Sequence, residues 1–390
     1  MDFALTPEQE RFGKEFRAYL KKAITAELRA EMEEQGEYGG PVSREFFRRL
    51  GEDGWLGVGW PKEYGGQGRS PMEQYLFYET AAYEEAPLPM LALNTVGPTI
   101  MKYGSEELKN LVLPRILRGE IEICIGYSEP NAGTDLASLK TTAVRDGDDY
   151  VINGQKSFTS CAHFADYIWL AARTDPEAKK HRGISLFLVD IDSPGIEITP
   201  VYTIGGVRTN STFYDNLRVP KSRLVGEENK GWKYMTAQLD LERIALCPYS
   251  PLIRRIEESI EWAKTSKMDG TIVLEQPGVK NRFCEMIADV EVLKLLNYQV
   301  AVQLTKGLPV YAEASTVKAY GSDLYQRVNN EIMEIMGPYG QLELKSKWAP
   351  LGGAMPNYFR RDLVLIFGGG AIEVQKNIIA MAGLMMPRSF

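Results

Sequence analysis

Between Ile121 and about Val225 the side chains alternate with the period of strands, whereas the stretches on either side repeat with the period of helices. This change of period constrains the fold more than any other property of the chain. At 390 residues the chain exceeds the size at which a single core keeps growing, so two or three domains are expected. The first zone runs from Thr6 to about Gly119. Thr6-Pro7-Glu8-Gln9 reads as a helix N-cap followed by proline in the first turn, and further helices are expected to start near Ser43, Ser70 and Ser105. The run 54–68 is too rich in glycine and proline for a regular element. In the second zone, Asp146-Gly147-Asp148-Asp149 separates two strands as a hairpin would, and 183–190, 195–201 and 211–217 are further strand candidates. In the third, residues 231–267, roughly 277–306 and 309–336 are long enough for bundle helices, with a shorter helix from about Ala371.

Composition excludes several classes of function. A net charge of −7 with scattered basic residues gives no nucleic-acid stripe, so an anionic ligand would have to be held by local donors. No apolar run reaches membrane-spanning length, and the polar start has no basic-then-apolar leader. Cys124, Cys161, Cys247 and Cys284 stand far apart with no CxxC pair, which points to free thiols in a reducing compartment and to a cytoplasmic location.

Elimination also narrows the chemistry. His163 and His181 are the only histidines, and neither has the cysteine or carboxylate spacing of a metal site, so no metal is expected. There is no GxSxG elbow, no GxGxxG after a strand and no GxxxxGK[ST]. What remains is chemistry carried by a tightly held organic cofactor, with the protein supplying a base, some donors and a dry pocket.

On the helix expected from Gly231, Trp232, Met235, Leu239 and Leu246 form an apolar stripe, and Glu242 occupies the position the stripe would give to a leucine. A carboxylate buried there would have its pKa raised toward the range useful for proton abstraction. Arg243 is its neighbour, and the residues alone read equally well as a structural ion pair.

Two segments carry the sharpest signal. Tyr127-Ser128-Glu129-Pro130-Asn131-Ala132-Gly133-Thr134-Asp135 and Asn153-Gly154-Gln155-Lys156-Ser157-Phe158-Thr159-Ser160 read as strand ends running into small-residue turns. They would bring hydroxyls, backbone N–H groups and one aromatic ring to a flat, polyanionic ligand. Together they resemble the flavin-binding centre of the acyl-CoA dehydrogenase family, and matches to that family extend along the whole chain. The resemblance implies an α+β multidomain fold: an N-terminal α-helical domain at 1–120, a middle β-barrel or sandwich at 121–230, and a C-terminal four-helix bundle at 231–390. It implies FAD as cofactor, an acyl-CoA substrate and an electron-transfer flavoprotein as partner. A homotetramer built as a dimer of dimers is the implied assembly, with a heterotetramer as the other form.

Site residues follow from the same resemblance. Leu239-Asp240-Leu241-Glu242-Arg243 is similar to the segment that carries the catalytic glutamate in isovaleryl-type and long-chain-type members. Most other members place it near the C-terminus, and there the matching position is Gly369, whose amide would still donate to the thioester oxygen. Tyr127, Ser128, Gly133, Thr134, Phe158, Thr159, Ser160, Gly337, Gly370, Ala371 and Glu373 match cofactor-binding positions, and Thr134, Asp240 and Arg243 match substrate-binding ones. The activity implied is α,β-dehydrogenation of an acyl thioester, with the α proton going to Glu242 and the β hydride to flavin N5.

Departures from the pattern matter as well. Ser266-Lys267-Met268-Asp269-Gly270 stands where the family often has Arg-x-x-Phe-Gly, and Glu334 where a glutamine is usual. Such departures resemble members acting on bulky ring-containing esters, some of which pair unlike subunits. A catalytically silent subunit and an oxidase on the same fold are therefore the alternative readings. Pro248 and Pro251, in what would be the helix lining the acyl pocket, suit an irregular cavity or mere packing.

Overall fold

The computed structural model describes residues 3–36, 38–344 and 346–387, and for 239–246 the backbone course without the side chains. Helix α1 spans Pro7–Ala23, and Thr6 caps it in a reciprocal box with Gln9, a device of about 1 kcal/mol. Helices α2 (Ala26–Gln35) and α3 (Pro41–Glu52) follow. The start expected at Ser43 lies two residues too late. Pro41 takes the first turn, and the missing side-chain cap at Gly40 is supplied by Glu31, which accepts from the amides of Val42 at 2.9 Å and Ser43 at 2.8 Å. Helix α4 (Pro71–Tyr83) is capped by Ser70 with Glu73. A π turn at Ala92–Val96 leads into α5 (Gly97–Tyr103), and Ser105 caps α6 (Glu106–Leu117).

The middle of the chain forms one mixed sheet from β1 (Ile123–Gly126), β2 (Thr142–Asp146), β3 (Asp149–Lys156), β4 (Tyr167–Arg173), β5 (Ile184–Asp190), β6 (Ile196–Tyr202) and β7 (Arg208–Pro220). The expected hairpin is present, with Asp146 opposite Asp149. Strand β4 is buried along nearly its whole length, so both faces of the sheet are covered. Its alternate residues serve two cores. Ile168, Leu170 and Ala172 join Tyr150, Ile152, Phe187 and Leu217 in a core enclosed by the sheet, while Tyr167, Trp169 and Ala171 join the large helical core. Tyr150 of β3 meets Phe187 of β5 edge-on at 4.9 Å although two strands separate them in the sheet. The sheet therefore curls around its own core, as expected of a barrel or sandwich.

Helices return with α7 (Gly231–Leu246) and α8 (Ser250–Thr265). The single helix expected over 231–267 is broken in two. Pro248 disfavours helical geometry at Cys247, which sits at φ −131°, ψ 63°, and Pro251 restarts the helix in its first turn. The amides exposed by the break are taken by the buried Glu79 of α4, which accepts from Tyr249 and Ser250 N–H at 3.1 Å each. A two-residue turn at Asp269-Gly270, both with positive φ, joins the short strands β8 (Lys267–Met268) and β9 (Thr271–Ile272). Helices α9 (Val279–Thr305), α10 (Tyr311–Ile335), α11 (Ala354–Asp362) and α12 (Ile372–Ile378) complete the chain. No described helix is long and apolar enough to cross a membrane.

Candidate active site

The two motif segments leave the C-terminal ends of β1 and β3 and are joined directly, the Ser157 amide donating to the Ser128 carbonyl at 2.8 Å. In the first, Glu129 and Ala132 exchange both backbone hydrogen bonds around Pro130-Asn131, closing a tight turn. Gly133 and Thr134 follow in the open, with nothing within 4 Å of where a Cβ on Gly133 would stand. In the second, Gly154 lies where a side chain would run into Thr141, and it marks the bulge that re-aims the end of β3.

Past that bulge, Phe158 adopts φ +59° and leaves its ring 67% exposed. A left-handed conformation is costly for a bulky residue, and the chain adopts it here to turn an aromatic face outward. Ser160 stands beside it with its hydroxyl 3.0 Å from that of Thr209. Thr159 points the other way: its buried hydroxyl lies 3.2 Å from that of Thr212, and its amide donates to the Asn210 carbonyl. Asn210 in turn donates to the Thr159 carbonyl at 3.0 Å and lies 3.2 Å from His163 Nδ1. This histidine is part of the loop's scaffold.

Tyr127 is buried, and its hydroxyl receives the Trp169 indole N–H at 2.8 Å and the Gln238 side-chain amide. Gln238 belongs to α7, and its oxygen lies 3.5 Å from the Thr99 hydroxyl of α5. All three zones of the chain thus meet at one phenol. The side chains of Asp240, Glu242 and Arg243 lie outside the described residues; α7 carries their positions between Gln238 and Cys247.

The C-terminal turn is held close to the same helix break. One stretch of α10 touches both: Lys318 Nζ donates to the Leu365 carbonyl at 2.6 Å, and Cys247 Sγ approaches the Lys318 carbonyl at 3.9 Å. Gly369 and Gly370 both have positive φ, at +69° and +103°, and Ala371 caps α12. Glu373, in the first turn of that helix, is exposed. Gln375 is fully buried, yet neither atom of its amide has a partner among the described residues. Gly337 belongs to a separate locus at the end of α10, packed on Met268, and Glu334 there accepts from Arg282 at 2.8 Å and from Asn330 at 3.1 Å.

Sequence reasoning overlooked the pair beneath these loops. Lys156 is fully buried and donates to Glu129 Oε1 at 2.8 Å and to the Tyr127 carbonyl at 3.0 Å. Only the quoted motif containing both residues hinted at it. A cavity of about 520 Å³ lined by Trp60, Tyr75, Tyr78, Pro98, Met101 and Leu304 lies beside α5, and none of the residues described above for this site line it.

The arrangement fits a flavin nucleotide. An outward-facing aromatic ring with a hydroxyl beside it suits the flat ring system, and the open backbone at Gly133-Thr134 suits phosphate oxygens. The Gln375 amide beside the Gly370 turn, without a partner among the described residues, has hydrogen-bonding capacity left for a ligand. Comparison with known proteins agrees with this geometry. Family models match for the acyl-CoA dehydrogenase N-terminal domain at 6–120, the middle domain at 124–217 and the C-terminal domain at 229–384. The acyl-CoA dehydrogenase FadE26 of Mycobacterium tuberculosis is 46% identical over 398 residues, covering 100% of both chains. A solved structure described as the Tcur3481-Tcur3483 steroid ACAD is 45% identical with a TM-score of 0.94, again covering 100% of both chains. The ChsE4-ChsE5 complex from Mycobacterium tuberculosis gives 45% identity and a TM-score of 0.93 at the same coverage.

Proposed function

The chain belongs to the acyl-CoA dehydrogenase family, FAD-dependent oxidoreductases acting on acyl-CoA, and we propose that it converts a bulky, ring-bearing acyl-CoA to the trans-2-enoyl-CoA. When bound, FAD supplies the acceptor for the β hydrogen, which leaves as hydride, and passes the electrons on to an electron-transfer flavoprotein. Glu242 takes the α proton. The thioester oxygen, on which negative charge develops, is met by the backbone N–H of Gly369, and a preformed donor of this kind is worth about 3–4 kcal/mol in a dry site. Phe158 would lie against the flavin ring, Ser128 and Ser160 would donate their hydroxyls to it, and Thr134 would serve both cofactor and substrate. Gly133, Gly370, Ala371 and Glu373 line the remaining cofactor contacts, and Asp240 and Arg243 those of the substrate.

The observation that carries this reading is the Gln238–Tyr127 hydrogen bond. It docks α7, the helix bearing Glu242, on the loop that bears Ser128, while the other position for a base is Gly369. Replacing Glu242 with Gln is expected to lower turnover by at least a thousandfold while the purified protein keeps its bound-flavin spectrum. A Gln variant with near wild-type turnover removes Glu242 as the base.

A second feature favours an unlike partner chain. The similar structures are of assemblies with two named components, one of them described as a steroid ACAD, and this chain has Ser266 and Asp269 where the family's arginine and phenylalanine often stand. Lys267 offers a point charge without the planar fork of arginine, so the hold that this chain extends across the dimer, through Lys267 and the Gly337 loop, to FAD in a neighbouring subunit is weaker or rebuilt by an unlike partner. Bulky alicyclic CoA esters are accordingly the substrates to test first, by bleaching of the flavin.

A further inference from the structure

Lys156 sits at the end of β3, two residues before Phe158, with a fully buried side chain. Its two acceptors, the Tyr127 carbonyl and the Glu129 carboxylate, flank Ser128 in the other loop. Glu129 extends the clamp by accepting from the amides of Lys140 at 2.7 Å and Thr141 at 2.9 Å, where that loop enters β2. Arg173 of β4 holds the same loop from its far side, donating to the carbonyls of Leu139 at 3.0 Å and Ala137 at 2.7 Å. Across the sheet, the residue paired with Lys156 is the uncharged Thr212 of β7.

A buried ion pair is weak as a source of stability, because apolar residues of the same volume often serve as well. Its strength is directional. We infer that Lys156 is a positioning residue for the cofactor site, cross-linking the Ser128 loop to the Phe158 loop and fixing the spacing between hydroxyl donor and stacking ring. The inference rests on the flavin-site reading given above. Burial draws the Lys156 ammonium down to about 8, against the pull of Glu129 and with a small further push from Arg173. Burial of Glu129 is outweighed by Lys156 and the Thr141 hydrogen bonds, which hold its carboxyl below the ordinary range.

The test uses the full-length protein stripped of flavin, titrated with FAD and followed by quenching of flavin fluorescence, with urea unfolding in parallel. Lys156→Met is expected to weaken FAD at least tenfold and to leave the flavin incompletely quenched at saturation. Glu129→Gln, nearly isosteric, is expected to weaken FAD in the same direction, and the double variant to lose less than the sum of the two. If Lys156→Met does not fold, the same thresholds apply to Glu129→Gln. FAD affinity within twofold of wild type in the folded variant overturns the inference. Phe158→Ala separates the two levels of the argument. If it too leaves FAD binding and quenching unchanged, the flavin-site reading fails; if it weakens binding while Lys156→Met does not, only the positioning role fails.

Discussion

Removal of Glu79 tests whether the break after α7 is held from the N-terminal helices. Its carboxylate is 4% exposed and accepts from the Tyr249 amide, the Ser250 amide and the Tyr75 hydroxyl. Burial pushes its carboxyl above the ordinary value despite these donors. Alanine at this position strips a buried helix-start amide (Ser250), a part-buried one (Tyr249) and one phenol of their acceptor. At about 1–3 kcal/mol for each buried amide left unpaired, Glu79→Ala is expected to lose about 3–5 kcal/mol of stability. Glu79→Gln keeps one acceptor oxygen, yet its NH2 then faces a donor, so a loss of about 1–3 kcal/mol is expected even though the buried charge is gone. Urea unfolding measures both variants. Amide hydrogen exchange localises the effect, with Tyr249 and Ser250 losing protection first. A loss below about 1 kcal/mol for Glu79→Ala, with those two amides still protected, would refute the reasoning.

Two further outcomes are expected. Gly370→Ala places a methyl 2.4 Å from the Gln375 side-chain nitrogen at a backbone φ of +103°, so a loss of about 1–3 kcal/mol is expected by thermal unfolding, together with weaker FAD binding. Glu31 is held below its ordinary 4.5, burial being outweighed by hydrogen bonds from Ser43 and Val42. Its stabilisation is therefore present above pH 4.5 and lost as the pH falls through the lowered value, and Glu31→Gln should lack that component of acid sensitivity in urea midpoints taken across the range.

What the sequence disclosed and what it concealed divide by distance along the chain. Thr6 with Gln9, Ser70 with Glu73, and the Asp146-Gly147 turn are local devices complete within four residues, and each stands where its residues place it. Asp269-Gly270, which joins β8 and β9, is the same kind of local turn signal. The start of α3 depends on Glu31, which lies in another helix, and the repair of the α7–α8 break depends on Glu79, 171 residues before Ser250. Neither partner can be found from periodicity. Strand β7 runs from 208 to 220, longer than the expected 211–217, because cross-strand pairing with β3 and β6 carries it past Asn216 at φ +48°. In the site, the sequence points to Phe158 as an aromatic ring at the end of β3, and the ring is turned outward there. The inward turn of Thr159 and the clamp beneath it were not legible, since both depend on contacts with residues about 27 to 53 positions away.

The phenol of Tyr127 joins strand β4, helix α7 of the C-terminal helical zone and, through Gln238, helix α5 of the N-terminal helical zone. No fragment lacking one of these three zones can assemble that junction. Coenzyme uptake thus doubles as an inspection of the finished molecule: yellow colour in a purified preparation would report that the three zones have docked in their proper arrangement.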